Sequence, residues 1–343
     1  MSKIVVTGGA GFIGSHFVHH VLTSVPNAEV TVLDALTYAG NPANLADLEG
    51  HSRYRFVHGN IADPMVVDAV LAGQDAVVNF AAETHVDRSI LDAGGFIRTD
   101  VEGTWVLLDA ARRHGLSRYL QVSTDEVYGH VPEGSSREDD ALQPRSPYAA
   151  SKAGGDLMVR AYGVTHGLPV LITRGANTIG PNQYPEKVVP LFTTNAIDDL
   201  PMPIYGDGGA LRDYIDVADH CAAIATVLER GEPGQIYNVG AGHAINTHQV
   251  ADAILEILGK PASLKKLVPD RPGHDRRYSV DSSKLRNLGW APQRDFAAAM
   301  KRTVGWYIEN ESWWRPLKDA GFQEYYRQNY TAREQASAEA STR

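Results

Sequence analysis

Short apolar runs alternate with amphipathic stretches along the first half of the chain. Runs rich in β-branched residues predict six strands, at residues 3–7, 30–34, 54–58, 75–80, 118–122 and 168–173. Apolar positions at helical spacing predict helices over residues 13–22, 96–114 and 249–258. Because buried strands alternate with helices in this way, the predicted fold class is α/β, with a doubly wound parallel sheet.

A glycine-rich turn joins the first strand to the first helix. Gly8, Gly11 and Gly14 allow the backbone to turn tightly and to approach a pyrophosphate at the N-terminus of the helix. Asp34 follows about twenty residues later, where a carboxylate binds the adenosine ribose hydroxyls and disfavours a 2′-phosphate. A structural turn that binds nothing is the alternative, which this strand–turn–helix context disfavours. A Rossmann-type domain that binds NAD rather than NADP is therefore predicted.

The composition changes after about residue 180, where prolines and glycines over residues 201–209 mark loop-rich chain. We therefore predict two domains. Residues 1–180 form the NAD-binding domain, which also carries the catalytic residues. Residues 181–330 form a smaller, loop-rich α/β substrate domain, with the chain free to cross back between the two. The polar residues 331–343 lack a core pattern and predict a frayed tail.

Three features at the same sheet edge bear on the cofactor. Asp63 either faces the adenine or caps the helix that follows it, and the two roles are compatible. Ala81 and Ala82 are small enough for a cofactor to lie close to them. His85 lies in a dense polar loop, where a structural role and a role in the site are equally consistent with the sequence.

Polar side chains follow the fifth predicted strand directly, at Thr124, Asp125 and Glu126. Ligands bind at this edge of an open α/β sheet. Since neighbouring carboxylates repel, one can stay protonated beside an ionised one, which provides an acid and a base. Tyr148 and Lys152 are four residues apart on a predicted helix and share one face, where the ammonium favours the phenolate. The combination predicts redox chemistry coupled to proton movement at carbon.

Composition narrows the class of ligand and the environment. Hydrophobic residues make up 43% and charged residues 21%, as in ordinary globular proteins. The net charge of −9 argues against nucleic acid and anionic membranes as partners. The single Cys221 excludes an intrachain disulfide and a cysteine-based zinc site, and we expect no metal. With a strand from Lys3 and no long apolar run, we expect neither a signal peptide nor a membrane span, and a cytoplasmic protein.

Cations are interleaved with aromatic residues in the turn-rich second half. Scattered charges usually form a solvated surface. Here they accompany Tyr205, His274 and Tyr278, which better suits a nucleotide-sugar diphosphate. The cations are Lys187, Arg212, Arg271, Arg276 and Arg277.

Motifs over nearly the whole chain, from Thr7 to Leu317, are those of a known family. They lie at residues 7–14, 36–41, 81–89, 123–129, 148–152, 182–187, 205–208, 270–278 and 313–317. In them the chain resembles the extended short-chain dehydrogenases/reductases that act on nucleotide sugars, and most closely the dTDP-glucose 4,6-dehydratase family. The adjacent Asp125 and Glu126 are the discriminating part, since related 4-epimerases and decarboxylases typically lack the pair.

The resemblance implies a role for each catalytic group. Tyr148, helped by Lys152, takes the O4 proton of the sugar while C4 gives a hydride to NAD. Glu126 then removes the C5 proton, Asp125 protonates the departing C6 hydroxyl, and Thr124 hydrogen-bonds O4. The hydride returns to C6, so NAD is recycled in place. The implied cofactor contacts are Gly8, Gly11, Phe12, Ile13, Gly14, Asp34, Leu36, Thr37, Ile61, Asp63, Ala81, Ala82, Thr99, Ser123, Tyr148, Lys152 and Asn177.

The resemblance also implies how the nucleotide sugar is held. Arg212 and Arg271 face the diphosphate, and Lys187 lies near the base together with residues 203–205. The implied substrate contacts are His85, Thr124, Asp125, Glu126, Asn177, Lys187, Pro203, Tyr205, Arg212, Asn246, Arg271, His274 and Tyr278. The chain departs from the family pattern at Thr84, Asp100, Gly154, Gly155, Thr178, Ile179 and Asp216.

The expected activity is dehydration of an NDP-hexose, with dTDP-glucose as the first candidate substrate. A nucleotide-sugar 4-epimerase or decarboxylase is the alternative enzyme, and a non-catalytic NAD-binding sensor is the alternative from another class. The resemblance and the two long predicted helices also imply a homodimer.

Overall fold

A seven-stranded sheet forms the centre of the molecule, in a computed structural model that describes residues 2–331. Its strands are β1 Lys3–Thr7, β2 Glu29–Asp34, β3 Tyr54–His58, β4 Ala76–Asn79, β5 Arg118–Thr124, β6 Val170–Gly175 and β11 Ile236–Val239. The other strands within residues 2–331 lie outside this sheet: β7 Asn177–Ile179, β8 Met202–Tyr205, β9 Leu211–Arg212, β10 Tyr214–Asp216, β12 Ile245–Asn246 and β13 Lys265–Val268.

Helices cover both faces of this sheet and build most of the remainder. They are α1 Phe12–Ser24, α2 Pro64–Leu71, α3 Val86–Leu91, α4 Gly94–Ile97, α5 Thr104–Arg113, α6 Pro147–His166, α7 Val188–Ile197, α8 Val217–Arg230, α9 Thr247–Leu258, α10 Ser283–Arg286, α11 Phe296–Glu309, α12 Glu311–Trp314 and α13 Ala320–Tyr326. Short 3₁₀ segments are Pro42–Leu48, Asp125–Tyr128, Ala262–Leu264 and Arg315–Leu317, and π-helical segments are Arg98–Gly103 and Arg327–Thr331.

The strand order in the sheet is β3-β2-β1-β4-β5-β6-β11, and every neighbouring pair is parallel. The predicted α/β class and doubly wound sheet are confirmed, and all six predicted strands are present with ends displaced by two residues or fewer. The sequence pattern missed β11, because four residues within loop-rich chain show no distinctive periodicity. Since α8 and β11 return to the central sheet, the chain crosses back after residue 180. The division into two domains at that residue stays a prediction.

Alternation along β1 explains why both sheet faces are covered. Ile4 and Val6 belong to one apolar cluster, which α1 and α8 cover, whereas Val5 belongs to a second cluster, which α2 and α5 cover. Successive side chains of a strand point to opposite faces, so a run of apolar residues buries both. This two-sided burial leaves the strand ends as the edge at which a ligand can enter.

The long helix predicted over residues 96–114 is interrupted. It consists of α4, the π-helical Arg98–Gly103 and α5. The following helix α6 approaches this segment closely through a glycine pair. A Cβ on Gly155 would lie 2.7 Å from the carbonyl oxygen of Asp100, and one on Gly154 would lie 2.9 Å from Val101. The departures at these two glycines therefore have a packing reason, since larger residues would push the two helices apart.

The remaining chain forms a smaller body with its own core. Three two-stranded sheets, β7 with β10, β9 with β12, and β8 with β13, pack with α7, α9 and α11. None of the helices within residues 2–331 combines the length and apolar character that crossing a membrane requires. The predicted tail of residues 331–343 lies outside the described residues except for Thr331, which ends a π-helical turn.

Candidate active site

A deep cavity runs along the carboxyl ends of the central strands. It encloses about 1660 Å³, counted together with the space open to solvent. The glycine-rich turn and Asp34 line it below β1 and β2, and Thr124, Tyr148 and Lys152 line it beside β5. The cavity therefore joins the residues predicted to bind a dinucleotide and those predicted to be catalytic.

The glycine-rich turn has the geometry of an anion cradle. Gly8 has φ +66°, and a Cβ there would lie 2.6 Å from the backbone nitrogen of Ala81. A Cβ on Gly14 would collide with the carbonyl oxygen of Gly8. Only glycine permits this packing. No side chain caps α1, so its first-turn amides are available to a pyrophosphate, and these residues fit a dinucleotide.

Asp34 is held rigidly at the cavity wall. Its Oδ2 accepts a hydrogen bond from the amide of Ala10 and its Oδ1 accepts one from the amide of Leu36, both at 2.8 Å. Burial raises the pKa of this carboxyl group above its ordinary value, although the two backbone bonds act in the opposite direction. A fixed carboxylate here suits ribose hydroxyls and repels a 2′-phosphate.

Two residues predicted to contact the cofactor are absent from the cavity lining. The Leu36 side chain packs against the core, and only its amide supports the site. Asp63 is exposed and accepts hydrogen bonds from the amides of Met65 and Val66, which is the capping role. The predicted contacts that do line the cavity are Gly8, Gly11, Phe12, Ile13, Gly14, Asp34, Thr37, Ile61, Ala81, Ala82, Thr99, Ser123, Tyr148, Lys152 and Asn177.

The acid pair begins where β5 ends. The hydroxyl of Thr124 accepts from the amide of Glu126 and donates to Asp125 Oδ1, both at 3.3 Å. Asp125 is only 2% exposed, and burial, with the charge of Glu126 adding to it, raises its pKa to about 8. Asp125 is therefore protonated at neutral pH. Glu126 is less buried and accepts a hydrogen bond of 3.3 Å from the Tyr278 hydroxyl. An acid and a potential base thus lie side by side.

The predicted effect of Lys152 on Tyr148 is wrong for this structure. Burial, together with the negative charges of Glu126 and Asp100, raises the pKa of Tyr148 well above its usual range. The Lys152 ammonium instead donates a hydrogen bond of 3.0 Å to the carbonyl oxygen of Val122. Desolvation and two carboxyl groups outweigh a cation whose hydrogen bond is directed elsewhere.

Two arginines of the smaller body lie close to the acid pair. The Arg212 guanidinium lies 4.3 Å from the ring centroid of Tyr278, whose hydroxyl contacts Glu126, and its charge acts on the pKa of Asp125. Arg271 pairs with Asp87 at 3.5 Å. The positive charges predicted to hold a diphosphate are therefore next to the catalytic carboxyls. Neither arginine is among the residues that line the cavity, so their role toward a diphosphate stays a prediction.

Lys187 of the smaller body lies on the same side of the cavity. Its ammonium donates a hydrogen bond to the carbonyl oxygen of Thr84 and lines the cavity. Burial lowers the pKa of this lysine, while the neighbouring Glu186 and Glu126 act to raise it.

Other predicted substrate residues have structural contacts outside the lining. Asn246 caps α9 by accepting from the amide of Gln249 at 2.9 Å. His274 pairs with Asp270 at 2.6 Å, and Pro203 lies within β8. Arg276 and Arg277 do not join the cavity lining: Arg276 forms an exposed ion pair with Asp207, and Arg277 donates to the carbonyls of Val131 and Gly134.

His85 and Tyr205 are turned toward the C-terminal part of the chain. Buried His85 contacts the carbonyl oxygen of Glu186 at 3.4 Å and the hydroxyl of Tyr325 at 3.3 Å, and burial lowers its pKa to about 4. Tyr205 donates to Asp87 Oδ2 at 3.0 Å and stacks on Tyr330. These contacts favour the structural interpretation of His85, while its role toward a substrate stays a prediction.

Sequence reasoning missed a polar cluster around buried Glu186, which lines the cavity together with Tyr38 and also contacts Arg88. Glu186 accepts hydrogen bonds of 2.7 Å from the Tyr38 hydroxyl and from Arg88 Nε, and the Arg88 guanidinium lies 3.9 Å from the ring centroid of Tyr38. All three residues belong to motifs that the sequence singles out. Their mutual pairing could not be found, because nearly 150 residues separate Tyr38 from Glu186.

Two further lining residues were also missed. Burial raises the pKa of Glu83 to about 7, with the charge of Asp100 adding to it. His220, on α8, contacts the Thr178 hydroxyl at 2.7 Å through Nδ1. The Thr178 departure is thus coupled to a histidine that no local motif identifies.

Comparisons with known proteins agree with this geometry. A family model described as GDP-mannose 4,6 dehydratase matches residues 5–303. The dTDP-glucose 4,6-dehydratase of Streptomyces niveus is 51% identical over 321 residues, which are 92% of this chain and 96% of the relative.

Solved structures give the same result. The dTDP-glucose 4,6-dehydratase of Streptomyces venezuelae, with NAD bound, has a TM-score of 0.91 at 51% identity, and the match covers 92% of this chain and 100% of that one. The Thermus thermophilus UDP-glucose 4-epimerase complexed with NAD reaches 0.83 at 33% identity, covering 90% and 99%. The resemblance predicted from the motifs is confirmed, and the chain belongs to the GDP-mannose 4,6 dehydratase family of extended short-chain dehydrogenases/reductases, with dTDP-glucose 4,6-dehydratases among its relatives.

Proposed function

We propose that this protein is a nucleotide-sugar 4,6-dehydratase that converts dTDP-glucose to the 4-keto-6-deoxy sugar nucleotide. The observation that carries the proposal is the acid pair at the end of β5. Asp125 is protonated at neutral pH beside Glu126, and both line the cavity with Tyr148. An epimerase has no need for a neighbouring acid and base of this kind, because it removes no water.

The cavity suits NAD as the resident cofactor. Asp34 and the amides of the first turn of α1 would hold the adenosine and the pyrophosphate. When bound, NAD supplies the acceptor for the C4 hydride and the donor that returns it to C6. Because that exchange leaves no net redox change, turnover needs no added reductant.

Proton movement at O4 falls to Tyr148. As the phenolate, its oxygen takes the O4 proton while the C4 hydrogen departs as a hydride, and the Thr124 hydroxyl, turned away from Asp125, donates a hydrogen bond to the developing carbonyl oxygen. The raised pKa of Tyr148 means that its phenolate is scarce in the ligand-free site. Tyr148 must therefore lose its proton before it can act as the base, and the positive charge that the oxidised nicotinamide ring would bring to the cavity favours the phenolate.

The elimination step uses the acid pair. Oxidation at C4 acidifies the C5 proton, which the Glu126 carboxylate removes. The C6–O bond then breaks as the carboxyl proton of Asp125 passes to the leaving oxygen, and water is released. The proton held by Glu126 returns to C5 when C6 receives the hydride.

The cations beside the acid pair would hold the rest of the substrate. Arg212 and Arg271 are assigned to the diphosphate, because guanidinium groups bind it bidentately. Lys187 is assigned to a place near the base, together with Pro203 and Tyr205. The remaining predicted substrate contacts are His85, Asn177, Asn246, His274 and Tyr278, of which Tyr278 contacts Glu126.

The decisive test is the mass of the product. Incubation with dTDP-glucose in the absence of reductant is expected to give a product lighter by one water. An isomer of unchanged mass would identify an epimerase. Because dTDP-glucose has no carboxyl group, a decarboxylase is tested in a second incubation with a uronic sugar nucleotide, where it would release carbon dioxide. NAD binding without turnover of either sugar nucleotide would identify a sensor.

The variant Glu126→Gln tests the assigned base. Gln cannot accept the C5 proton, so water loss and solvent deuterium incorporation at C5 are expected to fall by about 10²–10⁴-fold. NAD binding, measured by calorimetry, should be retained. Formation of the dehydrated product at the wild-type rate would contradict the role of Glu126.

The proposal includes a homodimer formed through the helices α5 and α6. Apolar side chains on them are exposed at Trp105 (45%), Leu157 (53%) and Val164 (89%). Such a surface favours a second copy of the chain. Light scattering should give twice the chain mass for the wild type and a lower mass for Trp105→Glu with Leu157→Glu.

Domain roles and location complete the proposal. Residues 1–180 would bind NAD, and the body within residues 181–330 would bind the nucleotide sugar. The Cys221 thiol is buried and unpaired by any disulfide, which suits the reducing cytoplasm.

A further inference from the structure

The C-terminal residues 313–330, called here the strap, run from the part of the molecule formed by residues 1–180 to the smaller body. At its start, Trp313 Nε1 donates a hydrogen bond of 2.9 Å to Asn44 Oδ1, beside the NAD-binding part. At its end, the ring of Tyr330 packs in the core of the smaller body. The strap therefore touches both halves of the molecule, and its course covers residues assigned to the substrate.

Tyr325 fastens the middle of the strap to α3. Its side chain is buried, and its hydroxyl lies 3.3 Å from the His85 ring nitrogens and 3.5 Å from Asp87 Oδ2. The Arg88 guanidinium lies 4.7 Å from its ring centroid. One tyrosine thus contacts the loop that carries His85 and the carboxylate that pairs with Arg271.

Tyr330 covers one face of Tyr205. The two rings are stacked, with centroids 5.4 Å apart and planes inclined by 24°, and the Tyr330 side chain is only 6% exposed. Tyr326 packs against Tyr330 with centroids 4.8 Å apart. The Tyr205 hydroxyl is fixed by its hydrogen bond to Asp87. Tyr205 is therefore held as a platform with an aromatic ring already on it.

A nucleobase and Tyr330 cannot occupy that face together. A ring inserted between two others needs about 7 Å between them, twice the carbon contact distance of about 3.5 Å. The observed separation of 5.4 Å leaves no room for it. Stacking of a base on this face of Tyr205 requires Tyr330 to leave.

We propose that Tyr330 occupies the stacking place of the nucleobase on Tyr205 in the ligand-free protein, and that nucleotide binding displaces the end of the strap. The proposal rests on the proposed function, which assigns Tyr205 to the base. It makes the strap a built-in competitor of the substrate. A ligand must replace one aromatic stack with another, so apparent affinity is lower than the site alone would provide.

Calorimetric titration with dTDP, which binds without turnover, tests the competition. Tyr330→Ala is expected to bind dTDP about three- to tenfold more tightly than the wild type, since the lost stack contributes an aromatic pair interaction. Gln328→Ala is the matched control, because its exposed side chain hydrogen-bonds Glu324 on the surface of the same turn. Equal affinity in Tyr330→Ala and wild type, or weaker binding in Tyr330→Ala, would overturn the proposal.

Limited trypsin digestion gives an independent readout of displacement. Arg327 lies in the strap with an exposed side chain that pairs with Glu324. If the strap end leaves on binding, saturating dTDP should accelerate cleavage after Arg327. Unchanged cleavage, or protection by dTDP, would show that the strap stays or closes over the ligand, and would refute displacement. Failure of the proposed function appears separately, as the absence of water loss from dTDP-glucose in a protein whose strap still responds to dTDP.

Discussion

Replacing Asp125 with Asn should remove a pH-dependent cost of folding along with the catalytic acid. The pKa of this buried carboxyl is raised from 3.8 to about 8, mainly by desolvation and then by Glu126. Between these values the unfolded chain has lost the proton and the folded protein keeps it. The free energy of unfolding of the wild type therefore falls as pH rises, by about 1.4 kcal/mol for each pH unit from this group.

Asn carries no titrating proton, so the variant lacks this component. Near pH 7 the wild type bears a cost of about 4 kcal/mol from Asp125, and Asp125→Asn is more stable by up to that amount. The difference between the two proteins should widen by roughly 2.7 kcal/mol from about pH 5.5 to about pH 7.5 and level off above about pH 8. An active-site group that lowers stability is the expected trade-off with function.

Urea unfolding of both proteins across this pH range measures the effect. Asp63→Asn gives the baseline for losing one carboxylate, because Asp63 is exposed and Asn caps a helix as well as Asp does. A stability difference for Asp125→Asn that stays constant from about pH 5.5 to about pH 8 would show that Asp125 is ionised throughout, and would refute its assignment as the acid.

Three further predictions concern the catalytic acid, a buried ion pair and the glycine-rich turn. The kcat for dehydration should fall as pH rises through about 8, where Asp125 loses its proton, and a flat profile up to pH 9 would contradict the mechanism. Asp156→Ala should lower the free energy of unfolding by about 3–5 kcal/mol, since it strands the buried Arg174 guanidinium, 2.9 Å from Asp156; a loss under about 1 kcal/mol in urea unfolding would disagree. Gly8→Ala should cost at least about 1–2 kcal/mol in the same assay, because φ is +66° and the new Cβ meets Ala81; wild-type stability would show that the turn relaxes.

Local patterns predicted the sheet and the chemistry of the site well. The strands could be located because both faces of a strand such as β1 are buried, so its consecutive residues are apolar. The glycine positions follow from a single turn that only glycine can form. The acid pair could be placed at the ligand-binding edge because it directly follows β5. These features depend on neighbouring residues, which is the range over which sequence periodicity carries information.

Tertiary structure decided the features that join distant residues. The Glu186 contacts with Tyr38 and Arg88 are of this kind, as is the stacking of Tyr330 on Tyr205. The direction of the Tyr148 pKa shift is another, because burial and two carboxyls outweighed the lysine four residues away. The sequence by itself determined which chemical groups the strand ends present and in what order. Only the folded chain determined which of them meet and how far each is removed from water, because desolvation and pairing depend on every segment packed around a group.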